Sequence, residues 1–301
     1  MKKVWLTVIS ALFILALAAC GTSDENSADT ENNGAANQAS EENNTATNEG
    51  TEQEEQDLVT LKVGATSVPH AEVLEQAQPL LEEQGVQLEI EVYQDYLLPN
   101  EDLSNGGLDA NYFQHIPYLE QQIADFGYDF VNAGGIHIEP MGIYSKNIKS
   151  VDDIKEGTVV IMSRSIADHG RILSLLEREG ILKLSDDVNK VEATEDDIVE
   201  NPLNLEFDAS IDAGFLPEYY EREEDALVAI NTNYAIEAGL IPTEDALILE
   251  GSESPYVNVI AVRSEDKESE AIQKLVDVLR SEEIQNFINE KYEGAVVPVS
   301  E

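Results

Sequence analysis

Apolar and polar residues follow one another with two different periods in this chain. From 86 to 92 every second residue is apolar and the residues between them are Gln or Glu, which is typical of a strand with one buried face. Just before this strand, apolar residues recur at intervals of three and four from 70 to 84, and Gly85 follows. That spacing predicts an amphipathic helix that ends at the glycine.

The same two periods continue towards the C-terminus. Predicted strands lie at 58–64, 86–92, 129–131, 136–145, 158–162, 226–230, 246–250 and 256–263. Predicted helices lie at 70–84, 117–126, 170–179, 266–280 and 281–292, and two more begin after the capping residues Ser150 and Thr194. Strands that alternate with helices predict an α/β fold with mostly parallel sheets.

The first twenty residues have the pattern of a secretory signal. Lys2 and Lys3 precede an uncharged apolar run from 4 to 19, which is short for a spanning helix. Small residues lead to Cys20, the single cysteine of the chain. The sequence Leu-Ala-Ala-Cys at this point resembles a bacterial lipobox, which implies that 1–20 is a lipoprotein signal peptide and that Cys20 carries the lipid.

Residues 21–57 differ in composition from everything that follows. They include 11 acidic residues, no basic residue, no aromatic residue and no large aliphatic residue. Such a segment cannot bury enough apolar surface to offset its ordering entropy, so it is predicted to be a disordered acidic tether. The whole chain carries a net charge of −44, which argues against nucleic acid as a partner.

The sequence contains few of the patterns that carry catalysis. There is no glycine-rich phosphate loop, no G-x-S-x-G elbow and no H-E-x-x-H motif. The four histidines are scattered, and His137 with Glu139 is the one close pair of metal-ligating type. We therefore predict no metal, no cofactor and no enzymatic activity. An extracellular hydrolase on an α/β scaffold is an alternative without a supporting motif.

Several sequence blocks together resemble the NlpA lipoprotein family, the substrate-binding lipoproteins of methionine ABC transporters. The resemblance extends from 61 to 298, and its blocks are DYLLPNE at 95–101, GLDANYFQH at 107–115, PYL at 117–119, GIYSK at 142–146, VENP at 199–202, NTNYA at 231–235 and SPYVN at 254–258. It implies a two-lobed periplasmic-binding-protein-like fold of type II with the ligand cleft between the lobes. The implied lobes are 58–143 plus 256–301, and 144–255.

The resemblance also implies a function and a location. The protein would capture methionine or a close analogue and deliver it to an ABC permease with a cytoplasmic ATPase. It would sit at the extracytoplasmic face of the cell membrane, held there only by its lipid. A surface sensor or adhesin with the same fold, binding another amino acid or a short peptide, is the alternative.

Seven residues are expected to form the ligand site. By resemblance, Arg171 would hold a ligand carboxylate through a bidentate pair, and Asn231 would bond the carboxylate or the ammonium. The residues expected to line the side-chain pocket are Tyr96, Phe113, His115 and Tyr118. Arg171 and the four pocket residues have structural alternatives: a salt bridge for Arg171, core packing for the aromatic residues, and a helix cap for His115.

The seventh residue, Asp168, is a departure from the family's pattern. The family usually has an asparagine three residues before the arginine, where this chain has an acid. Asp168 either pairs with Arg171 and competes with a ligand carboxylate, or accepts a hydrogen bond from a ligand ammonium. The identity of the ligand depends on which of these holds.

Overall fold

A computed structural model describes residues 58–299. The predicted signal peptide at 1–20, the lipid site Cys20 and the predicted tether at 21–57 lie outside the described residues, as do 300 and 301. No helix within 58–299 is long and apolar enough to cross a bilayer.

Strands and helices alternate through the described range. The strands are β1 (Val59–Thr66), β2 (Val86–Tyr93), β3 (Ala110–His115), β4 (Phe130–Ile138), β5 (Gly142–Tyr144), β6 (Val159–Ser163), β7 (Lys183–Leu184), β8 (Ile198–Glu200), β9 (Glu206–Ile211), β10 (Leu227–Ile230), β11 (Ile248–Leu249), β12 (Val257–Arg263) and β13 (Val297–Pro298). The helices are α1 (Glu72–Glu82), α2 (Leu98–Ser104), α3 (Ile116–Phe126), α4 (Ile166–Arg178), α5 (Leu216–Arg222), α6 (Thr232–Glu237), α7 (Pro242–Asp245), α8 (Glu270–Leu279) and α9 (Glu282–Tyr292).

The first sheet has the strand order β13-β4-β12-β3-β1-β2. β1 and β2 pair in parallel with Leu61 opposite Leu88, so the alternation of the sequence places apolar side chains of both strands on the same buried face. Helices α1, α8 and α9 cover that face through a continuous apolar core. The other face packs against residues of α2 and α3. This layer forms the first lobe.

The second sheet has the order β11-β5-β10-β6-β9. Its strands β6 and β10 are buried on both faces, because α4 packs on one side and α5 and α6 on the other. This layer forms the second lobe. The chain passes between the two sheets twice, through 139–141 and through 250–256.

Both sheets are mixed, so the expectation of mostly parallel sheets was wrong. β12 returns from the second lobe and inserts antiparallel between β3 and β4, and β5 pairs antiparallel with β10 and β11. The strand by which the chain enters each lobe from the other, β12 in the first lobe and β5 in the second, runs opposite to the strands built by strand–helix–strand units. The lobe boundaries remain predictions, and the expected boundary between 143 and 144 falls inside β5.

Several element boundaries also differ from the predictions. The strand predicted at 136–145 is divided between β4 and β5 because Pro140 lacks the N–H that a ladder needs. The caps at Ser150 and Thr194 are present, but each begins only a three-residue 3₁₀ turn. The chain is extended at Ile154 and Ile198, and the second turn leads directly into β8. A cap therefore marks where a turn begins and not how long it continues.

Candidate ligand-binding site

A buried cavity lies between the lobes, beside the first crossing segment. It measures about 30 Å³. All seven residues predicted from the sequence line it: Tyr96, Phe113, His115, Tyr118, Asp168, Arg171 and Asn231. The structure brings these seven residues together, and their role in ligand binding stays a prediction. A wider groove of about 850 Å³ shares Tyr96 and Tyr118 with the cavity.

Three aromatic side chains form one wall. The ring centroids of Tyr96 and Phe113 are 5.8 Å apart, those of Tyr96 and Tyr118 are 6.0 Å apart, and those of Phe113 and Tyr118 are 6.1 Å apart. The hydroxyl of Tyr118 donates to the carbonyl of Tyr96, and the hydroxyl of Tyr96 donates to Oδ1 of Asn233 at 2.6 Å. The second bond joins the two lobes. This wall suits an apolar, polarisable side chain such as a thioether.

His115 has two roles in the structure. It is the last residue of β3 and the N-cap of α3, where its Nδ1 accepts from the backbone N–H of Tyr118 at 3.2 Å. The helix-cap alternative is therefore confirmed. Because Nδ1 accepts, Nε2 carries the hydrogen and donates across the cleft to Oδ1 of Asp168 at 3.2 Å.

Asp168 lies in the first turn of α4 and is buried. Its second oxygen accepts from Nδ2 of Asn231 at 3.3 Å. Burial alone would raise the pKa of this carboxyl, but the hydrogen bond from His115, with contributions from the charge of Arg171 and the hydrogen bond from Asn231, lowers it below its ordinary value. Asp168 is therefore an ionised carboxylate that is held by His115 and Asn231.

Arg171, one turn later on α4, pairs with Glu250 and not with Asp168. Its Nε donates to Oε2 of Glu250 at 2.7 Å, and its Nη2 donates to the same oxygen and to the carbonyl of Glu139. The guanidinium also stacks on Tyr256, 4.6 Å from the ring centroid. The fork that would form a bidentate pair with a ligand carboxylate is thus engaged by Glu250, which leaves Nη1 as the nitrogen for a ligand.

Glu250 is a partner of Arg171 that the sequence does not predict. Its carboxylate accepts from the backbone N–H of Met141 at 3.0 Å and from the hydroxyl of Ser254 at 2.9 Å. It therefore connects the two crossing segments with each other and with Arg171. Glutamates are common in this chain, and nothing local distinguishes this one, so only the tertiary structure identifies it.

Asn231 is the N-cap residue of α6 and is 8% exposed. Its Nδ2 donates to Asp168, whereas its Oδ1 is buried without a hydrogen-bond partner among the described residues. An unsatisfied buried acceptor costs about 1–3 kcal/mol. This oxygen therefore marks the position of a missing hydrogen-bond donor on the cavity wall.

A second polar cluster borders the cavity at the first crossing segment. His70, His137 and Glu139 place one ligating atom each within 4.8 Å of one another, an arrangement that could hold a metal ion. The hydroxyl of the fully buried Tyr112, however, has Nδ1 of His137 as its partner at 2.5 Å. If Nε2 of His137 bound a metal, Nδ1 would carry the hydrogen and the hydroxyl hydrogen of Tyr112 would lose its acceptor. The hydrogen bonds therefore favour a metal-free network.

Two α/β lobes that are joined by two crossing segments around a buried polar cavity define a solute-binding protein. The chain belongs to the NlpA lipoprotein family, whose model matches residues 61–300. It is 41% identical over 303 residues to the methionine-binding lipoprotein MetQ of Bacillus subtilis (strain 168), and the match covers 100% of both proteins. That relative's name describes binding and not catalysis.

Two solved structures confirm the two-lobed, periplasmic-binding-protein-like fold. A pheromone cOB1 precursor/lipoprotein of the YaeC family from Enterococcus faecalis V583 is 49% identical with a TM-score of 0.78, covering 80% of this chain and 100% of that one. A nutrient-binding protein from Burkholderia cenocepacia, solved bound to methionine, is 38% identical with a TM-score of 0.75, covering 79% of this chain and 99% of that one.

Proposed function

We propose that this lipoprotein binds methionine as a zwitterion in the cavity between its lobes. The name of the Bacillus subtilis relative and the methionine-bound Burkholderia cenocepacia structure support this ligand. The aromatic wall of Tyr96, Phe113 and Tyr118 would receive the thioether. Nη1 of Arg171 would contact the ligand carboxylate.

The partnerless Oδ1 of Asn231 is the observation that carries the proposal. Among the described residues that line the cavity, Arg171 is the one arginine or lysine, and Glu250 already balances its charge. Asp168 and Glu139 are both buried carboxylates with pKa values below the ordinary range. A ligand that carries an ammonium would supply both the missing donor and the missing positive charge.

We further propose that the protein works at the outer face of the cell membrane. A lipid on Cys20 would hold it there, and an ABC permease with a cytoplasmic ATPase would receive the methionine. The family's description as lipoproteins supports the anchor. Cys20→Ser should release the protein from the membrane fraction or leave its signal uncleaved, and unchanged attachment would contradict the anchor.

The ligand is tested by calorimetric titration of the purified protein with L-methionine, D-methionine and a methionine-containing dipeptide, together with mass spectrometry of any small molecule released on denaturation. We expect saturable binding of methionine. Asp168→Asn should weaken it by at least about tenfold, because one charged partner of the ammonium is lost. Tighter binding in the variant would instead mean that Asp168 competes with the ligand.

Transport is tested separately in a strain that lacks its own methionine-binding protein but keeps the permease. Expression of this chain should restore methionine uptake, and the Cys20→Ser form should not. Tight methionine binding without uptake would favour the sensor or adhesin function.

A further inference from the structure

Glu139 lies on the first crossing segment and lines the cavity, although it was noted from the sequence only as a neighbour of His137. The residue is buried and is 6% exposed. Oε1 is 2.8 Å from Nε2 of His137 and 3.1 Å from Nε2 of His70, both in the first lobe. Oε2 accepts from the backbone N–H of Asn233, in the second lobe, at 3.0 Å.

Both histidines present a hydrogen to Oε1. Nδ1 of His137 accepts from Tyr112, so its hydrogen is on Nε2. Nε2 of His70 faces two oxygens, Oε1 of Glu139 and Oδ1 of Asn258 at 3.3 Å, which also requires a hydrogen on that nitrogen. Nδ1 of His70 bonds the hydroxyl of Thr66 at 2.7 Å. The two imidazoles are therefore fixed donors.

The carboxylate of Glu139 can accept more hydrogen bonds than its neighbours donate to it. A carboxylate oxygen accepts about two hydrogen bonds. Oε1 has two donors in His70 and His137, whereas Oε2 has one in Asn233. One acceptor position therefore remains on Oε2 of a buried residue that borders the cavity.

We infer that Glu139 is an acceptor for the ligand ammonium, and that His70 and His137 are positioning residues that hold its carboxylate towards the cavity. The inference rests on the proposed function, since it assigns one part of that site. With Asn231 and Asp168, Glu139 gives the cavity three groups that can accept, which matches the three N–H donors of an ammonium. The site should therefore discriminate strongly between amino acids and their analogues that lack the ammonium.

The ionisation of Glu139 agrees with this assignment. Burial would raise the pKa of this carboxyl, but the electrostatic interaction with His70 and the hydrogen bonds from His137 and His70 outweigh burial and hold the pKa well below its ordinary value. Burial lowers the pKa of His137, so this residue acts as a neutral N–H donor. A buried carboxylate held ionised by neighbouring donors is suited to receive a cation.

The experiment combines a variant with a ligand pair. Wild type and Glu139→Gln are titrated calorimetrically with L-methionine and with γ-(methylthio)butyrate, which lacks the ammonium. We expect Glu139→Gln to weaken L-methionine binding by at least about thirtyfold. Binding of the butyrate should change by less than about threefold, because the lost interaction is absent from that complex. Glu290→Gln, an exposed acid on α9 away from the cavity, is the charge-matched control and should change neither affinity.

The two ligands separate this inference from the proposed function. A wild-type protein that does not bind L-methionine would contradict the proposed function. A wild-type protein that binds L-methionine while Glu139→Gln keeps the same preference over the butyrate would overturn the inference and leave methionine binding intact. Equal losses for both ligands, with earlier melting, would likewise overturn it, since Glu139 would then act only on the fold.

The positioning role is tested at His137. His137→Phe removes the donor to Glu139, whereas His137→Gln keeps a donor and an acceptor. We expect the preference for L-methionine over the butyrate to fall at least about tenfold in the Phe variant and to recover partly in the Gln variant. An unchanged preference in the Phe variant would overturn the positioning role. Stoichiometric zinc bound by wild type and lost in His137→Phe would show that the cluster is a metal site instead.

Discussion

At the scale of single residues, the meaning of a buried charge depends on its partner. From the sequence, Arg171 is expected to anchor a ligand carboxylate, and membership of a structural ion pair is the alternative. The structure pairs it with Glu250, and the side chains of the two residues are 4% and 11% exposed. Because Glu250 also accepts from Met141 and Ser254, the pair holds together the place where the chain crosses between lobes.

This pairing changes what Arg171→Ala should do. Removing one partner leaves the other as an uncompensated buried charge, which costs about 3–5 kcal/mol. We therefore expect the free energy of unfolding without ligand to fall by that amount, as measured by urea denaturation. Arg222→Ala is the matched control: its pair with Glu218 is exposed, so it should cost less than about 1 kcal/mol. If both variants lose less than about 1 kcal/mol of the free energy of unfolding, Arg171 has no structural role and acts only in ligand binding.

A second residue-scale prediction concerns acid. The pKa of Asp168 in the folded protein lies below its ordinary value of 3.8, so its ionised form stabilises the fold above that value. The contribution is lost as the pH falls through 3.8 towards the folded pKa. Wild type should therefore be more stable than Asp168→Asn at about pH 6, and the difference should shrink by about pH 3. Urea denaturation of both proteins at the two pH values measures it, and a constant difference would contradict the assignment.

At the scale of elements, β3 shows why part of the fold could not be predicted. All six of its residues are buried, but three of the four central ones, Asn111, Tyr112 and Gln114, carry polar groups. The strand is therefore not an apolar run. Asn111 and Gln114 bond to each other and to Asn100 of α2, so these polar side chains satisfy one another inside the protein. A strand pattern built on apolar alternation cannot detect such an element. β2, with one exposed face, was predicted from its alternation alone.

Helix α4 gives an element-scale prediction at Gly170, next to Arg171. A Cβ at this position would lie 2.3 Å from the carbonyl oxygen of Lys190 and 2.5 Å from that of Val191. Backbone atoms cannot rotate away, so the helix or the facing loop must move. Alanine gains about 1 kcal/mol of helix propensity over glycine, but overpacking typically costs about 1–3 kcal/mol.

We therefore expect Gly170→Ala to lower the melting temperature and to weaken ligand binding, since α4 carries both Asp168 and Arg171. Gly251→Ala is the control for the melting temperature, because a Cβ there meets nothing within 4 Å. Differential scanning calorimetry compares the two variants with wild type. A higher melting temperature in Gly170→Ala would mean that the backbone at 190–191 moves away from the new Cβ without a large loss of stability.

At the scale of the whole molecule, the site combines residues from Tyr96 to Asn258, and local spacing relates only a few of them, such as Asp168 and Arg171. The resemblance to a family identifies seven of these residues, and the fold brings the same seven together around the cavity. It did not supply Glu139 or Glu250, nor the partner of Arg171. These depend on how the crossing segments pack, which is a tertiary property.

The last prediction concerns the motion of the two lobes. A cavity of about 30 Å³ is far smaller than the roughly 300–1,000 Å³ of typical small-molecule sites. Bonds from Tyr96 to Asn233 and from His115 to Asp168 hold the lobes together across it. An amino acid can therefore enter only if the lobes separate, and the crossing segments at 139–141 and 250–256 are the places where a hinge would act.

Small-angle X-ray scattering can measure this motion. Without ligand, we expect a larger radius of gyration than at saturating L-methionine, because the ligand ammonium and thioether would add contacts to both lobes and favour closure. Tyr96→Phe removes one bond between the lobes, so it should enlarge the ligand-free radius further while leaving the saturated radius unchanged. Identical profiles with and without saturating ligand, in both proteins, would contradict a hinge and require a different entry route.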